Sequence, residues 1–223
     1  MADSPGLFAI IDHYIAELFA PTDEALESAL GEARNSGLPE IQVSATQGKF
    51  IYLLAKLVGA RRILELGTLG GYSTIWLARA LPDDGRLVTL ELETAHAEVA
   101  RANIARAGLS ARVEIIVGPA LQTLPEVCGP SAEPFDLVFL DADKENYLNY
   151  FRHIMRAVHS GSLILADNVI RSGAVMAPRH DDPGAGAARS FNAMLAADKR
   201  LEAVVLQQVG IKGHDGLAMA RVK

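Results

Sequence analysis

Leu137-Val138-Phe139-Leu140-Asp141-Ala142-Asp143-Lys144 and Leu163-Ile164-Leu165-Ala166-Asp167-Asn168 decide the fold. Each is a short apolar run that ends in acid. Runs of this length and composition read as strands buried on both faces, the mark of a parallel sheet. In an open parallel sheet, ligands sit at the carboxyl ends of the strands. Asp141, Asp167 and Asn168 are therefore delivered to one rim from two strands. Two carboxylates and an amide oxygen make a hard, all-oxygen donor set, suited to Mg²⁺ or a similar cation such as Mn²⁺ or Ca²⁺. Helix N-capping is the alternative for either acid, but one cap does not account for Asp-Asn on the second strand as well.

Outward from these runs, strand and helix alternate from residue 61 onward. Further strands are expected at 63–66, 87–91, 113–117, 203–207 and 216–221, and helices at 71–81, 94–107, 120–127, 146–158 and 187–197. Repeated strand–helix units imply an α/β fold with a Rossmann-like, doubly wound, seven-stranded sheet, helices lying on both faces. The last two strands are joined by too short a segment for a crossover helix, so they should form an antiparallel hairpin at the end of a mostly parallel sheet. Before the alternation come three helical patterns, at 7–19, 22–34 and 46–58. Leu7, Ile10, Ile11, Tyr14, Ile15, Leu18 and Phe19 form a 3.6-residue apolar stripe in the first. The expectation is one domain over 1–223, with 1–58 as an N-terminal helical cap and 59–223 as the α/β core. Residues 171–189, RSGAVMAPRHDDPGAGAAR, break the rhythm and read as a loop over the site.

Composition narrows the function. Half of the residues are apolar, yet no uninterrupted apolar run approaches the ~20 residues of a membrane span. The opening MADSPGLF lacks the basic start of a secretory signal. Cys128 is the sole cysteine, which leaves no internal disulfide and no thiolate cluster. Together these point to a cytoplasmic setting. The net charge of −6, without a Lys/Arg stripe, argues against a nucleic-acid partner.

The first strand runs into Glu65-Leu66-Gly67-Thr68-Leu69-Gly70-Gly71-Tyr72-Ser73. Glycines at this turn let a ligand approach the backbone. Their register is not G-x-G-x-x-G, and Glu65 would repel a pyrophosphate, so the turn does not match a dinucleotide site. A tight turn with no ligand is the other reading. Glu91 closes the second strand, where an acid accepts from both ribose hydroxyls of an adenosine ligand; a solvent-facing acid is the alternative. Lys144 follows Asp141 by three residues. A lysine beside a dication can act as a general base, because like charges repel; a surface lysine on a first helical turn is the alternative. The six histidines show no close metal-ligand spacing, and Trp76 reads as core.

These residues resemble the class I S-adenosylmethionine-dependent O-methyltransferases of the catechol and caffeoyl-CoA type, including bacterial members. The motifs that carry the resemblance are ELGTLGGYS, TLELE, GPAL, FLDADKENY, LADN and DGLAMARV, within residues 41–223. The resemblance implies that Asp141, Asp167 and Asn168 bind a divalent cation. Lys144 would be the base, acting together with Asp141. Glu65, Gly67, Thr68 and Ser73 would line the methionine side of the cofactor, with Val43 from the preceding loop. Glu91 would hold the ribose, and Ala120 and Asp143 would lie near the adenine and the sulfonium side. It also implies a small-molecule phenolic acceptor with two adjacent hydroxyls and a homodimer. Many relatives have Trp three residues after the Asp-Asn pair and plant enzymes an Asn after it; here Arg171 and Ser172 stand there, which argues against caffeoyl-CoA. The competing readings are a metal-independent methyltransferase, a nicotinamide-dependent oxidoreductase and a cofactor-binding module without catalysis.

Overall fold

The computed structural model describes residues 5–223; residues 1–4, the start of the stretch read as lacking a leader, lie outside the described residues. Seven strands form one sheet: β1 (Arg62–Leu66), β2 (Arg86–Glu91), β3 (Val113–Val117), β4 (Phe135–Leu140), β5 (Val158–Ala166), β6 (Leu201–Gly210) and β7 (Gly213–Val222). Their order is β3-β2-β1-β4-β5-β7-β6. The first five run parallel, and β7 is antiparallel to both β5 and β6. The expected mostly parallel, doubly wound sheet with a terminal antiparallel hairpin is therefore present. The hairpin is longer than the apolar pattern showed, because both strands continue through Gln207, Gln208, His214 and Asp215 to the turn at Gly210–Gly213.

Eight α-helices surround the sheet: α1 (Pro5–Phe19), α2 (Glu24–Asn35), α3 (Ala45–Leu57), α4 (Tyr72–Ala80), α5 (Thr94–Arg106), α6 (Ala120–Val127), α7 (Tyr147–Ile154) and α8 (Pro183–Ala197). Apart from Glu65, the interiors of β1 and β4 are apolar on both faces, so each face builds its own core. Ile63, Phe139 and Leu165 pack on one side with Ile51, Ile75 and Leu77. Leu64, Leu66, Val138 and Leu140 pack on the other with Tyr147, Phe151 and Phe191. Helices α2 and α3 are part of the first core: Leu26 and Ala29 of α2 and Ile51 and Ala55 of α3 are buried in it. Helix α3 lies close on α4 because Gly48 has no side chain; a Cβ there would overlap the Trp76 indole. Trp76 is core, as expected.

Two boundaries differ from the sequence reading. The helix expected over 146–158 is a 3₁₀ turn at Lys144–Asn146 followed by α7, and β5 already begins at Val158, paired with Phe135. Pairing with β4 claims residues whose local pattern was helical. The loop expected over 171–189 is shorter. It forms a 3₁₀ segment over Arg171–Met176, and α8 starts at Pro183, with Asp182 accepting from the Ala185 N–H. Proline at a first helical position is a start signal, not a break.

The stripe on α1 does not face the core. Ile10, Tyr14, Leu18 and Phe19 are 67%, 62%, 56% and 66% exposed, and Val204, Leu206 and Val209 of β6, against which α1 packs, are exposed too.

Candidate active site

Strand β1 pairs with β2 on one side and β4 on the other, so the order reverses at its carboxyl end. A crevice opens at such a reversal. Here it is a cavity of about 680 Å³, within the size range of small-molecule sites. Val43, Gly67, Thr68, Ser73, Glu91, Ala120, Asp141, Asp143, Lys144 and Asn168 all line it. The sequence-predicted residues thus come together, with two exceptions in how they are placed.

The first exception is Glu65. Its side chain is fully buried beneath the glycine turn and does not form the cavity wall. Ser73 Oγ donates to one carboxylate oxygen at 2.6 Å; Thr74 Oγ1 and Thr89 Oγ1 donate to the other at 2.5 and 2.8 Å. Burial drives its pKa up to about 7, and the hydroxyl donors oppose that rise. Ser73 and Thr74 belong to the first turn of α4, so the acid also lies where the helix dipole favours negative charge. Ser73, which does line the cavity, is positioned by this carboxylate.

The second exception is Asp167, only 4% exposed and set behind Asn168. Leu140 pairs in register with Ala166, so Asp141 and Asp167 follow at the same height on adjacent strands. Tyr147, missed in the sequence, locks that height: its buried hydroxyl lies 2.9 Å from the Leu140 carbonyl and 3.1 Å from the Asp167 carbonyl, bridging both strand ends. Phe191 packs edge-on against its ring at 5.2 Å. Gln47 was also missed. From the first turn of α3, capped by Ser44, its Nε2 donates to Asp167 Oδ2 at 2.7 Å. Burial and the nearby Asp141 charge raise the Asp167 pKa to about 7. Asn168 takes φ +56, and its N–H donates to Asp167 Oδ1.

Lys144 Nζ donates to Asp141 Oδ1 at 2.9 Å and to the Ala142 carbonyl at 2.8 Å, with its side chain only 10% exposed. The surface-lysine alternative does not describe it. Asp143 accepts from Asn146 and from the Tyr150 hydroxyl. On the opposite side, Glu91 Oε2 accepts from the Thr68 and Leu69 N–H groups at 3.1 and 2.7 Å, and Oε1 from the Glu93 N–H at 3.0 Å. Glu91 therefore shapes the glycine turn as well as facing the cavity. His96, unremarked in the sequence, also lines it, with Nδ1 3.4 Å from Glu91.

A cavity at the strand-order reversal, walled by acids and a part-buried lysine, is where an α/β enzyme binds its ligand. The particular family follows from comparison. The O-methyltransferase family profile matches residues 18–223, and the chain belongs to that family. It is 50% identical over 217 residues to a catechol O-methyltransferase of Niastella koreensis, covering 97% of this chain and 98% of that protein. It is 50% identical over 213 residues to a catechol O-methyltransferase of Mycobacterium tuberculosis, covering 96% and 95%. The structure superimposes on that of a Bacillus cereus O-methyltransferase in complex with SAH with a TM-score of 0.95, at 45% identity, covering 99% and 100%. The chain is a methyltransferase.

Proposed function

We propose that this enzyme transfers the methyl group of S-adenosylmethionine to one hydroxyl of a catechol-like small molecule, assisted by a divalent cation. The observation that carries the reading is the pair of acid-bearing strand ends, level with each other, beside the part-buried Lys144. Asp141, Asp167 and Asn168 would hold the cation. Among the described residues no third His, Cys, Asp or Glu joins the two carboxylates; the Asn168 amide would supply the third oxygen. The donor set fits: burial, and next the Asp141 charge, raise the Asp167 pKa, and a bound dication would relieve that repulsion. When bound, the cation would supply the positive charge that acidifies and orients two adjacent acceptor oxygens.

The chain's own residues account for the remaining steps. Gln47 and Tyr147 fix the height and orientation of Asp167. Lys144 Nζ, as the neutral amine that a bound dication nearby would favour over the ammonium, takes the acceptor's hydroxyl proton. The resulting phenolate oxygen attacks the sulfonium methyl in line; the C–O bond forms as the C–S bond breaks and the neutral thioether product leaves. Glu91 holds the ribose while its three N–H partners keep the turn closed. Val43, Gly67, Thr68 and Ser73 border the methionine end, and Ala120 and Asp143 the adenine and sulfonium side. Holding both reactants in a near-attack geometry contributes several kcal/mol, on the order of 7 or more in favourable cases.

The test is methyl transfer to a panel of phenolic acceptors after chelation and after Mg²⁺ add-back. Activity is expected with vicinal diols only, lost with chelator and restored by Mg²⁺. Full activity in excess chelator would establish the metal-independent alternative instead.

We also propose a homodimer in which a second copy covers the exposed apolar residues of α1 and β6. An apolar surface of this extent on one chain marks an interface. Light scattering should give twice the mass of one chain, and a monomer at micromolar concentration would refute it. No helix among the described residues is long and apolar enough to cross a membrane, and the buried, unpaired Cys128 fits the cytoplasmic setting proposed.

A further inference from the structure

The two carboxylates of the cofactor side, Glu65 beneath the turn and Glu91 beyond it, are joined by a hydrogen-bonded chain through the Thr89 and Thr68 hydroxyls and the Thr68 backbone N–H. Thr89 lies at the middle of β2, directly beside Glu65 in the sheet register, and is fully buried. Its Oγ1 is 2.8 Å from Glu65 Oε2 and 2.6 Å from Thr68 Oγ1. Thr68 in turn gives its backbone N–H to Glu91. An ionised carboxylate only accepts, and a threonine has one proton to give. With Glu65 ionised, Thr89 donates to it, and Thr68 donates to Thr89. The order of the protons is set from the buried end. The Thr68 hydroxyl is drawn down onto β2, and the Thr68–Leu69 backbone is left with its N–H groups aimed at Glu91.

We propose that Thr89, which does not line the cavity, is a positioning residue for the methyl donor. It ties Glu65 to Thr68 and so holds the turn that carries the donor's methionine end in register with the acid that faces its ribose. A polar residue at this place in a strand interior has no packing reason to be threonine. Valine fills the same volume and branches the same way, so the hydroxyl is what the position uses. Buried polar chains of this kind are worth most when every member is satisfied. Removing the Thr89 hydroxyl leaves Glu65 one donor short and Thr68 without an acceptor.

The proposal rests on the S-adenosylmethionine reading of the cavity and uses no part of the cation site. The experiment is calorimetric titration of the full chain with S-adenosylhomocysteine, together with kcat and KM for the methyl donor, in wild type, Thr89→Val, Thr89→Ser and Thr68→Val. Thr89→Val should weaken binding and raise KM about tenfold, the scale of one hydrogen bond to a charged group, while kcat changes less than threefold. Thr89→Ser should stay within threefold of wild type in both. Because Thr68→Val breaks the same link from its other end, a fifth protein combining Thr68→Val with Thr89→Val should lose little more than either single variant. If Thr89→Val melts too early to assay, Thr89→Ser and Thr68→Val still decide: serine binding tenfold worse, or Thr68→Val binding normally, overturns the proposal. Wild-type affinity in Thr89→Val overturns it directly. Failure of the wild type itself to bind S-adenosylhomocysteine would instead strike the reading of the cavity.

Discussion

Asp141→Ala should lower the rate of methyl transfer by about 10³ or more, the scale seen when a preorganised charge at a reacting centre is removed, while S-adenosylhomocysteine still binds within a few-fold of wild type. The asymmetry follows from where the side chain points. Asp141 Oδ1 is the carboxylate partner of Lys144 Nζ at 2.9 Å, and without it the lysine keeps only the Ala142 carbonyl. The variant therefore loses one of the two carboxylates proposed to hold the cation and, in the same step, the group that orients the proposed base. The donor side does not depend on this carboxylate. Glu91 is held by Thr68, Leu69 and Glu93, and the Asp141 backbone N–H remains bonded to the Leu66 carbonyl. The residual rate should also become indifferent to chelator. Turnover within tenfold of wild type, or residual activity still abolished by chelator, would show that Asp141 does not carry the role assigned to it.

The sheet was readable from the sequence because its signals are local. An apolar run with an acid at its end needs no knowledge of the rest of the chain. All seven expected strands formed, and the acids stand at the rim that parallel topology demands. What could not be read depends on pairing between distant residues. Gln47 reaches Asp167 across 120 positions of sequence, from a helix that looks like an ordinary cap. Tyr147 reads as a helical core aromatic until β4 and β5 are seen to end at the same height beneath its hydroxyl. The α1 stripe gave the right element but not its covering, because periodicity identifies an apolar face without saying what lies on it. Glu65 was placed in the right neighbourhood, yet its depth depends on Thr89 from the adjacent strand and Thr74 from the helix above, neither of which a glycine motif announces.

The two halves of the site are also mechanically joined, and Gly67 is where they meet. Its N–H donates to the Leu90 carbonyl of β2 at 2.9 Å, while its α-carbon lies against β4. It holds φ +97, a conformation open to glycine and strained for any L side chain. A Cβ at this point would overlap the Asp141 carbonyl oxygen and lie 2.9 Å from its carbonyl carbon. Both atoms are backbone at the end of a central parallel strand, so no rotamer can relieve the overlap.

Gly67→Ala should therefore damage both functions at once. Strain at the backbone and forced separation of β1 from β4 together cost about 2–4 kcal/mol, which should appear as a lower melting temperature at unchanged unfolding cooperativity. The larger effect is local. Moving the turn away from β4 pulls the Thr68 and Leu69 N–H groups off Glu91 and tilts Asp141 away from level with Asp167, so S-adenosylhomocysteine binding should fall about a hundredfold or more, since each broken charge-assisted hydrogen bond accounts for roughly tenfold or more. This distinguishes it from Asp141→Ala, which spares the donor. It also distinguishes a clash from a general loss of flexibility. Gly161, likewise at a positive φ of +97 but with open space around its α-carbon, should pay only the conformational cost when changed to alanine and should bind S-adenosylhomocysteine normally. Equal binding losses at both glycines would place the effect in backbone strain alone and remove the role given to the contact between Gly67 and Asp141.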